Sequence, residues 1–309
     1  MVDISFVIVN WNAKKCLLEA IRSIYKTVSD NTYELIIVDN ASSDGSVDAV
    51  TGEFPKAKVI VNNENIGFAR ANNIGIKQSV GRYICLMNSD TVILGNCIKN
   101  LTAFMDQRPD IGITGPRILN PDLTLQPQCR YFPTIWNNLC QALGLNHLFP
   151  KSAFFSDSFM KHWAHDKMRS VDVITGCFWL VRRCAIDQVG LLDEDFFIYA
   201  EDVDWCKRFH EAGWDIVFHP DCQVIHVGGA SSKNAPIKYY LEMQKADLLY
   251  WRKHNGKVLG YIYLSIVFIR HLIRLTARAF MYLVSPSRRD VLSYKMARSL
   301  ACIRFVFSF

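Results

Sequence analysis

The sequence predicts an α/β fold on a parallel, nucleotide-binding type of sheet, and three observations carry the prediction. Ile4 to Asn10, Tyr33 to Val38 and Tyr83 to Met87 are continuous apolar runs, as strands buried on both faces require. The segments between them repeat their apolar residues with a helical period. The runs stop at Asn10, Asp39 and Asn88-Ser89-Asp90, which puts amides and carboxylates at the strands' carboxyl edge, where open α/β sheets bind ligands.

Taken in order, Ile4 to Asn10 is the first strand, stopped by Asn-Trp-Asn. Leu17, Leu18, Ile21, Ile24, Tyr25 and Val28 then mark a helix, and Tyr33 to Val38 returns as a second strand ending at Asp39, which completes a βαβ unit. The turn-rich stretch Asn40 to Ser46 leads to a strand near Lys58 to Val61, a helix from about Phe68 to Gln78 and the Tyr83 to Met87 strand. Beyond Asp90 the pattern gives a helix near Asn96 to Gln107 and a strand near Ile111 to Thr114. Residues 120 to 170 read as irregular and rich in aromatics, a candidate substrate surface. Val171 to Val181 reads as a strand broken at Thr175-Gly176, Glu201 to Ala212 as a helix and Ile216 to His226 as a last strand.

At 309 residues, half of them apolar, the chain can bury a large core and is not disordered. The net charge of +6 is unevenly spread: residues 250 to 309 hold 11 Lys/Arg against Asp290 alone, so the rest is mildly acidic. The first apolar run is too short, and lacks the flanks, for a signal peptide. The ten cysteines form no C-x-x-C pair and suit buried, reduced thiols.

Neither G-x-G-x-x-G after the first strand nor G-x-x-x-x-G-K-[ST] occurs, so a bound nucleotide needs another anchor. A divalent cation is one, because Mg²⁺ or Mn²⁺ takes one or two carboxylates and completes its shell with phosphate oxygens and water. Asp90 suits that carboxylate, with Asn88 as a weaker partner. His226 ends a strand before a glycine loop, where an imidazole can reach a metal. Asp39 and Asp44 flank the loop after the second strand, where a carboxylate can accept from a base or ribose, although Asp44-Gly45 is also an ordinary turn pair. In Glu201-Asp202-Val203-Asp204 three acids open a helix, as dipole complementarity alone would favour by ~0.3 to 1 kcal/mol each. The apolar Phe196-Phe197-Ile198-Tyr199 before them would desolvate a carboxylate and raise its pKa toward that of a general base.

With these residues in view, the sequence resembles the inverting family 2 glycosyltransferases. The matching strings are Val7 to Asn12 (VIVNWN), Ile37 to Ser46 (IVDNASSDGS), Asn65 to Gly75 (NIGFARANNIG), Met87 to Asp90 (MNSD), Ile174 to Cys177 (ITGC), Phe197 to Asp204 (FIYAEDVD) and His226 to Ser231 (HVGGAS). The resemblance implies a GT-A fold, a Rossmann-like mixed sheet of nucleotide-diphospho-sugar transferases, followed here by a C-terminal amphipathic helical tail. It also implies that Asn10 and Asp39 hold the donor's nucleoside with Asp44 nearby, that Asn65 and Arg70 lie near base and diphosphate, and that Asp90 and His226 bind Mg²⁺ or Mn²⁺. Asp202, flanked by Glu201, matches the base that deprotonates the acceptor hydroxyl. Asn88 replaces the first Asp of the family's D-x-D-like motif, a change familiar in the rhamnosyltransferase-like subgroup. The donor expected there is dTDP-L-rhamnose; the alternatives are a UDP-hexose or UDP-N-acetylhexosamine transferase and a non-catalytic sugar-nucleotide-binding subunit.

The tail has its own signature. Arg270, Arg274 and Arg278 recur at i, i+4 and i+8 amid apolar residues, and the longest uncharged run, Val258 to Ile269, falls short of the ~20 residues a span needs. That pattern suits a helix lying in an anionic headgroup layer, or one packed on the catalytic domain or on a second copy of the chain. No recognition fold for nucleic acid accompanies the charge. The expected organisation is a catalytic domain over 1–245 and a membrane-association segment over 246–309. The expected protein is cytoplasmic, peripheral on the inner face of the membrane, with a nucleotide-sugar donor and a lipid-linked saccharide acceptor.

Overall fold

A computed structural model describes residues 2–156, 158–229 and 236–308. They pack as two compact units, Met1–Phe132 with Trp163–Lys233, and Pro133–His162 with Asn234–Phe309.

The first unit opens with β1 (Ile4–Asn10), α1 (Lys14–Thr27), β2 (Tyr33–Asp39), α2 (Ser46–Glu53), β3 (Lys58–Val61), α3 (Phe68–Lys77), β4 (Tyr83–Asn88), β5 (Thr91–Ile93), α4 (Cys97–Gln107), β6 (Ile111–Leu119) and β7 (Cys129–Arg130). After α5 (Ile135–Leu143) and α6 (Leu145–Leu148) of the other unit, it resumes with β8 (Arg169–Ser170), β9 (Val173–Ile174), β10 (Phe178–Arg182), α7 (Arg183–Val189), α8 (Glu201–Glu211) and β11 (Asp215–His226). The main sheet runs β3-β2-β1-β4-β10-β6-β11-β5, with β8 on β11. Its first four strands are parallel, while β10 is antiparallel to both β4 and β6. The sheet is therefore mixed, and the parallel part is the half legible from the apolar runs.

Burial explains the strands. Phe6, Ile8, Ile37 and Cys85 lie in one core with Leu17, Ile21 and Ile24 of α1, and full burial of such side chains contributes about 1.5–3 kcal/mol each. Ala13 offers α1 no side-chain cap, and the Asp44 carboxylate accepts from the Lys14 N–H instead, at 2.8 Å. Register then sets the site: Asn10 lies opposite Asp39 and Val9 opposite Asn88, so the polar ends of three strands share one edge.

Several elements go beyond the sequence expectation. Helix α2 buries only Ser46 and Val50, too little apolar surface to leave a period. Strand β6 continues through Gly115-Pro116 to Leu119, because β11 slips register between His219 and Gln223, opposite the proline that cannot donate. Within the stretch expected to be irregular, Thr134 and Asn137 form a reciprocal capping box that starts α5.

The second unit contains α5, α6, α9 (Pro236–Val284), a 3-10 turn (Pro286–Arg288) and α10 (Arg289–Val306). Helix α9 bends at Gly256, where φ is +81°. The expected division at 245/246 falls inside α9, and residues 133–162 pack with the tail. Aromatics there contact each other, Trp136 with Phe154 and Phe149 with Phe155, while Trp136, Phe149 and Phe154 stay exposed. By length and composition α9 is the one helix among the described residues able to cross a membrane, yet 39% of its most apolar window is buried in the protein. One expectation is reversed. Arg270 is buried and Arg274 and Arg278 half-buried within the α9–α10 hairpin, while Phe280 and Leu283 are exposed. The arginines turn inward because Gln141, Gln244 and Ser299 offer them hydrogen bonds there.

Candidate active site

The site begins where β1, β2 and β4 end. Asn10 Nδ2 donates to Asp39 Oδ1 at 2.8 Å, and the other Asp39 oxygen accepts from the Ser42 N–H at 2.8 Å. Both side chains are buried, and Asn10 Oδ1 has no partner. Asn65 Oδ1 accepts from Gly67 N–H at 3.1 Å, and Asn40 ties the same loop by donating to the Gly67 carbonyl. Gly67 needs its lack of a Cβ: φ is +89°, and a Cβ would lie 2.5 Å from the Phe197 carbonyl. Arg70 is exposed, 3.6 Å from Glu194. Asp44 differs from the others, since both its oxygens are engaged, by Lys14 N–H and by Ser46, and it fixes the loop.

A second group gathers at the ends of β4 and β11. His226 Nε2 stands 3.2 Å from Asp90 Oδ1 and 3.4 Å from Asn88 Nδ2. Burial alone would raise the Asp90 carboxyl, but the adjacent imidazole outweighs it and holds the group below the ordinary carboxylate range. The ring's tautomer follows from a chain of hydrogen bonds. Asn120 Nδ2 donates to Thr124 Oγ1 and the Leu125 carbonyl, so Asn120 Oδ1 accepts from Gln126 Nε2, which also faces the His226 carbonyl. Gln126 Oε1 is then the acceptor toward His226 Nδ1 at 2.7 Å, and Nδ1 carries a proton. Nε2 is the ring nitrogen that faces Asp90.

The third group stands at the start of α8. The chain enters through Tyr199 and Ala200 at φ +71° and +59°, left-handed for residues with a Cβ, which costs of order 1–3 kcal/mol each. Asp202 is buried, with Oδ1 accepting from Val203 N–H and Oδ2 paired to Arg130 of β7. Glu201 is buried with Oε2 unpartnered. Burial first, and the charge of Asp202 second, push its carboxyl up to about 8. That shift favours its protonated form. Asp204 pairs with Arg208 at 2.9 Å, one turn on, and is structural. The Gly176-Cys177 peptide lies beside the second and third groups: the Cys177 carbonyl accepts from Asn88 N–H at 2.9 Å, and a Cβ on Gly176 would lie 3.5 Å from Asp202 Cβ.

Gln126 and Arg130 were not legible in the sequence. Both sit in a stretch without periodicity, and a cation or amide in a loop carries no spacing signal.

The residues fit a divalent cation. Asp90 supplies a carboxylate, His226 its Nε2 beside that carboxylate, and Asn88 Oδ1 is a buried oxygen without a partner. No group of three His, Cys, Asp or Glu able to hold a metal occurs among the described residues.

Comparison with known proteins agrees with this geometry. The model of glycosyl transferase family 2 matches residues 5–190. The chain is 26% identical over 251 residues to an N-acetylglucosaminyl-diphospho-decaprenol L-rhamnosyltransferase of Mycobacterium tuberculosis, covering 77% of this chain and 81% of that one. It is 24% identical over 264 residues to the dTDP-rhamnosyl transferase RfbF of Shigella flexneri, covering 82% and 81%. Among solved structures, a mannosyltransferase of Pyrobaculum calidifontis in complex with GDP-Man and Mn²⁺ aligns with TM-score 0.56 at 15% identity, over 98% of this chain and 88% of that one. The fold, the ends of its strands and the family match converge: this chain belongs to glycosyl transferase family 2 and is a glycosyltransferase of the GT-A fold.

Proposed function

We propose that this glycosyltransferase moves L-rhamnose from dTDP-L-rhamnose to a lipid-linked saccharide, with inversion, at the inner face of a bacterial membrane during surface polysaccharide synthesis. The observation that supports the mechanism is that one peptide, Gly176-Cys177, bonds Asn88 through the Cys177 carbonyl and lies beside Asp202, close enough that a Cβ on Gly176 would meet the Asp202 side chain. A cation-held diphosphate and a base then border the same space. The donor and acceptor follow the two rhamnosyltransferase relatives, whose names specify a rhamnosyl donor in one and a diphospho-decaprenol acceptor in the other.

In this reading Asn10 and Asp39 hold the nucleoside, with Asn65 and Arg70 near base and diphosphate. Asp90, His226 and Asn88 would hold Mg²⁺ or Mn²⁺, which neutralises charge on the diphosphate. Arg130 fixes the Asp202 carboxylate, which takes the acceptor's hydroxyl proton as that oxygen bonds to the anomeric carbon. The anomeric C–O bond to the diphosphate breaks, and the nucleoside diphosphate leaves with the electron pair. Glu201, protonated, supports Asp202 without competing for the proton.

The test is hydrolysis and transfer across a panel of nucleotide sugars, each with Mn²⁺ and with EDTA. Consumption of dTDP-L-rhamnose only with the cation is expected. Preference for a UDP-sugar would move the donor assignment to a UDP-hexose or UDP-N-acetylhexosamine. No consumption of any donor would point to a non-catalytic binding subunit.

A further inference from the structure

The α9–α10 hairpin encloses positive charge without its counterpart. Arg270 is 6% exposed, and its two bonded nitrogens face only neutral oxygens, Gln141 Oε1 and Gln244 Oε1, while its Nε has no partner. Arg274, one turn on, faces Tyr240. Arg278 reaches the Lys295 carbonyl at 2.8 Å and Ser299 Oγ at 2.7 Å. Arg298 of α10 lies 4.5 Å over the Tyr240 ring, with its Nε buried and unpartnered. Gln244 is fully buried, and its Nε2 donor also lacks a partner.

No described carboxylate answers these four guanidinium groups. Glu242 pairs with Lys245, Asp247 accepts from the Tyr263 hydroxyl and Asp290 is exposed in the first turn of α10. The charge is felt locally: burial first, then the surrounding arginines, depress the His271 imidazole to about 3, so it adds no fifth charge at neutrality. Buried charges in folded proteins are paired, and an arginine fork matches phosphate oxygens in geometry as well as in sign. Arg274, Arg278 and Arg298 are only half-buried, so the group opens to the surface.

We propose that Arg270, Arg274, Arg278 and Arg298, with Gln244, form a binding site for a lipid-borne phosphate or diphosphate within the helical hairpin. Two sources share that chemistry, the headgroup of an anionic phospholipid and the diphosphate of a lipid-linked acceptor. Only the second source rests on the function proposed above.

The test uses the full chain in EDTA, so that no cation recruits anions to the catalytic residues. Inorganic pyrophosphate is titrated by calorimetry and thermal unfolding against wild type, Arg274→Gln and Arg298→Gln, half-buried positions whose neutralisation removes repulsion and spares the fold. Wild type should bind saturably and gain thermal stability. Each variant should bind at least tenfold more weakly and, without anion, melt no lower than wild type. Co-sedimentation with neutral vesicles, vesicles carrying phosphatidylglycerol and vesicles carrying a polyprenyl diphosphate then identifies the source by which one retains wild type but not the variants. Wild type that ignores pyrophosphate, or variants that match wild type in every arm, would overturn the site. Donor hydrolysis, measured on the same proteins with Mn²⁺ in place of EDTA, is expected to be unchanged in the variants. Its absence from wild type would remove the acceptor reading and leave the pyrophosphate result standing.

Discussion

Asp202 and Glu201 are neighbours in unlike settings, and the roles proposed for them follow from their partners. Asp202 has a guanidinium and a peptide N–H to hold it, whereas Glu201 is buried with one oxygen unpartnered. Asp202→Asn should keep donor affinity by calorimetry and lose turnover by roughly 10² to 10⁴-fold, since an amide keeps the shape but cannot take the proton. Near-normal turnover would remove Asp202 from the base role. Glu201 gives a pH prediction. Its folded pKa of about 8 lies above the ordinary glutamate value, so the folded state binds the extra proton. The associated stability is present below pH ~4.5 and is lost as pH rises toward 8. Glu201→Gln should therefore gain on wild type across that window, by about 1–3 kcal/mol at the alkaline end, in urea denaturation. Parallel stability curves would contradict a buried, protonated Glu201.

At the scale of elements, the site depends on strands that finish level and on a loop that sets one imidazole. Asp90 follows β4, His226 ends β11, and Gln126 after β6 orients its ring. Asp90→Ala should abolish Mn²⁺ binding in the presence of nucleoside diphosphate, and Gln126→Leu should weaken it about 10- to 100-fold, as losing the group that orients a metal-binding imidazole does. Gln126→Glu keeps the acceptor toward Nδ1 and should retain most of the affinity. Electron paramagnetic resonance of free Mn²⁺ measures all three, and equal affinity in every variant would refute the proposed ligands. The strand ends were legible because an apolar run stopping at Asp39 or Asn88 is visible in one dimension. Arg130 and Gln126 were not, because they reach Asp202 and His226 across 72 and 100 residues through a stretch without period.

Across the whole molecule, the uneven charge foreseen in the sequence has a structural counterpart, but its direction was misread. Helical spacing puts Arg270, Arg274 and Arg278 on one face and cannot say whether that face meets solvent or α10; the neutral oxygens of Gln141, Gln244 and Ser299 decide it. The aromatics between 131 and 163 were ambiguous for the same reason, since ring partners such as Trp136 and Phe154 are close only after folding. The antiparallel β10 inside the sheet was likewise hidden, because a buried run does not reveal its direction. What the two groups at Gly176-Cys177 claim together is a single displacement, with base and leaving diphosphate on opposite faces of the sugar. The most direct measurement is the anomeric configuration of the transferred sugar, read by nuclear magnetic resonance of the product made by the full chain from its preferred nucleotide sugar. A single site with Asp202 as the base predicts inversion relative to the donor; retention of the donor's configuration would contradict it.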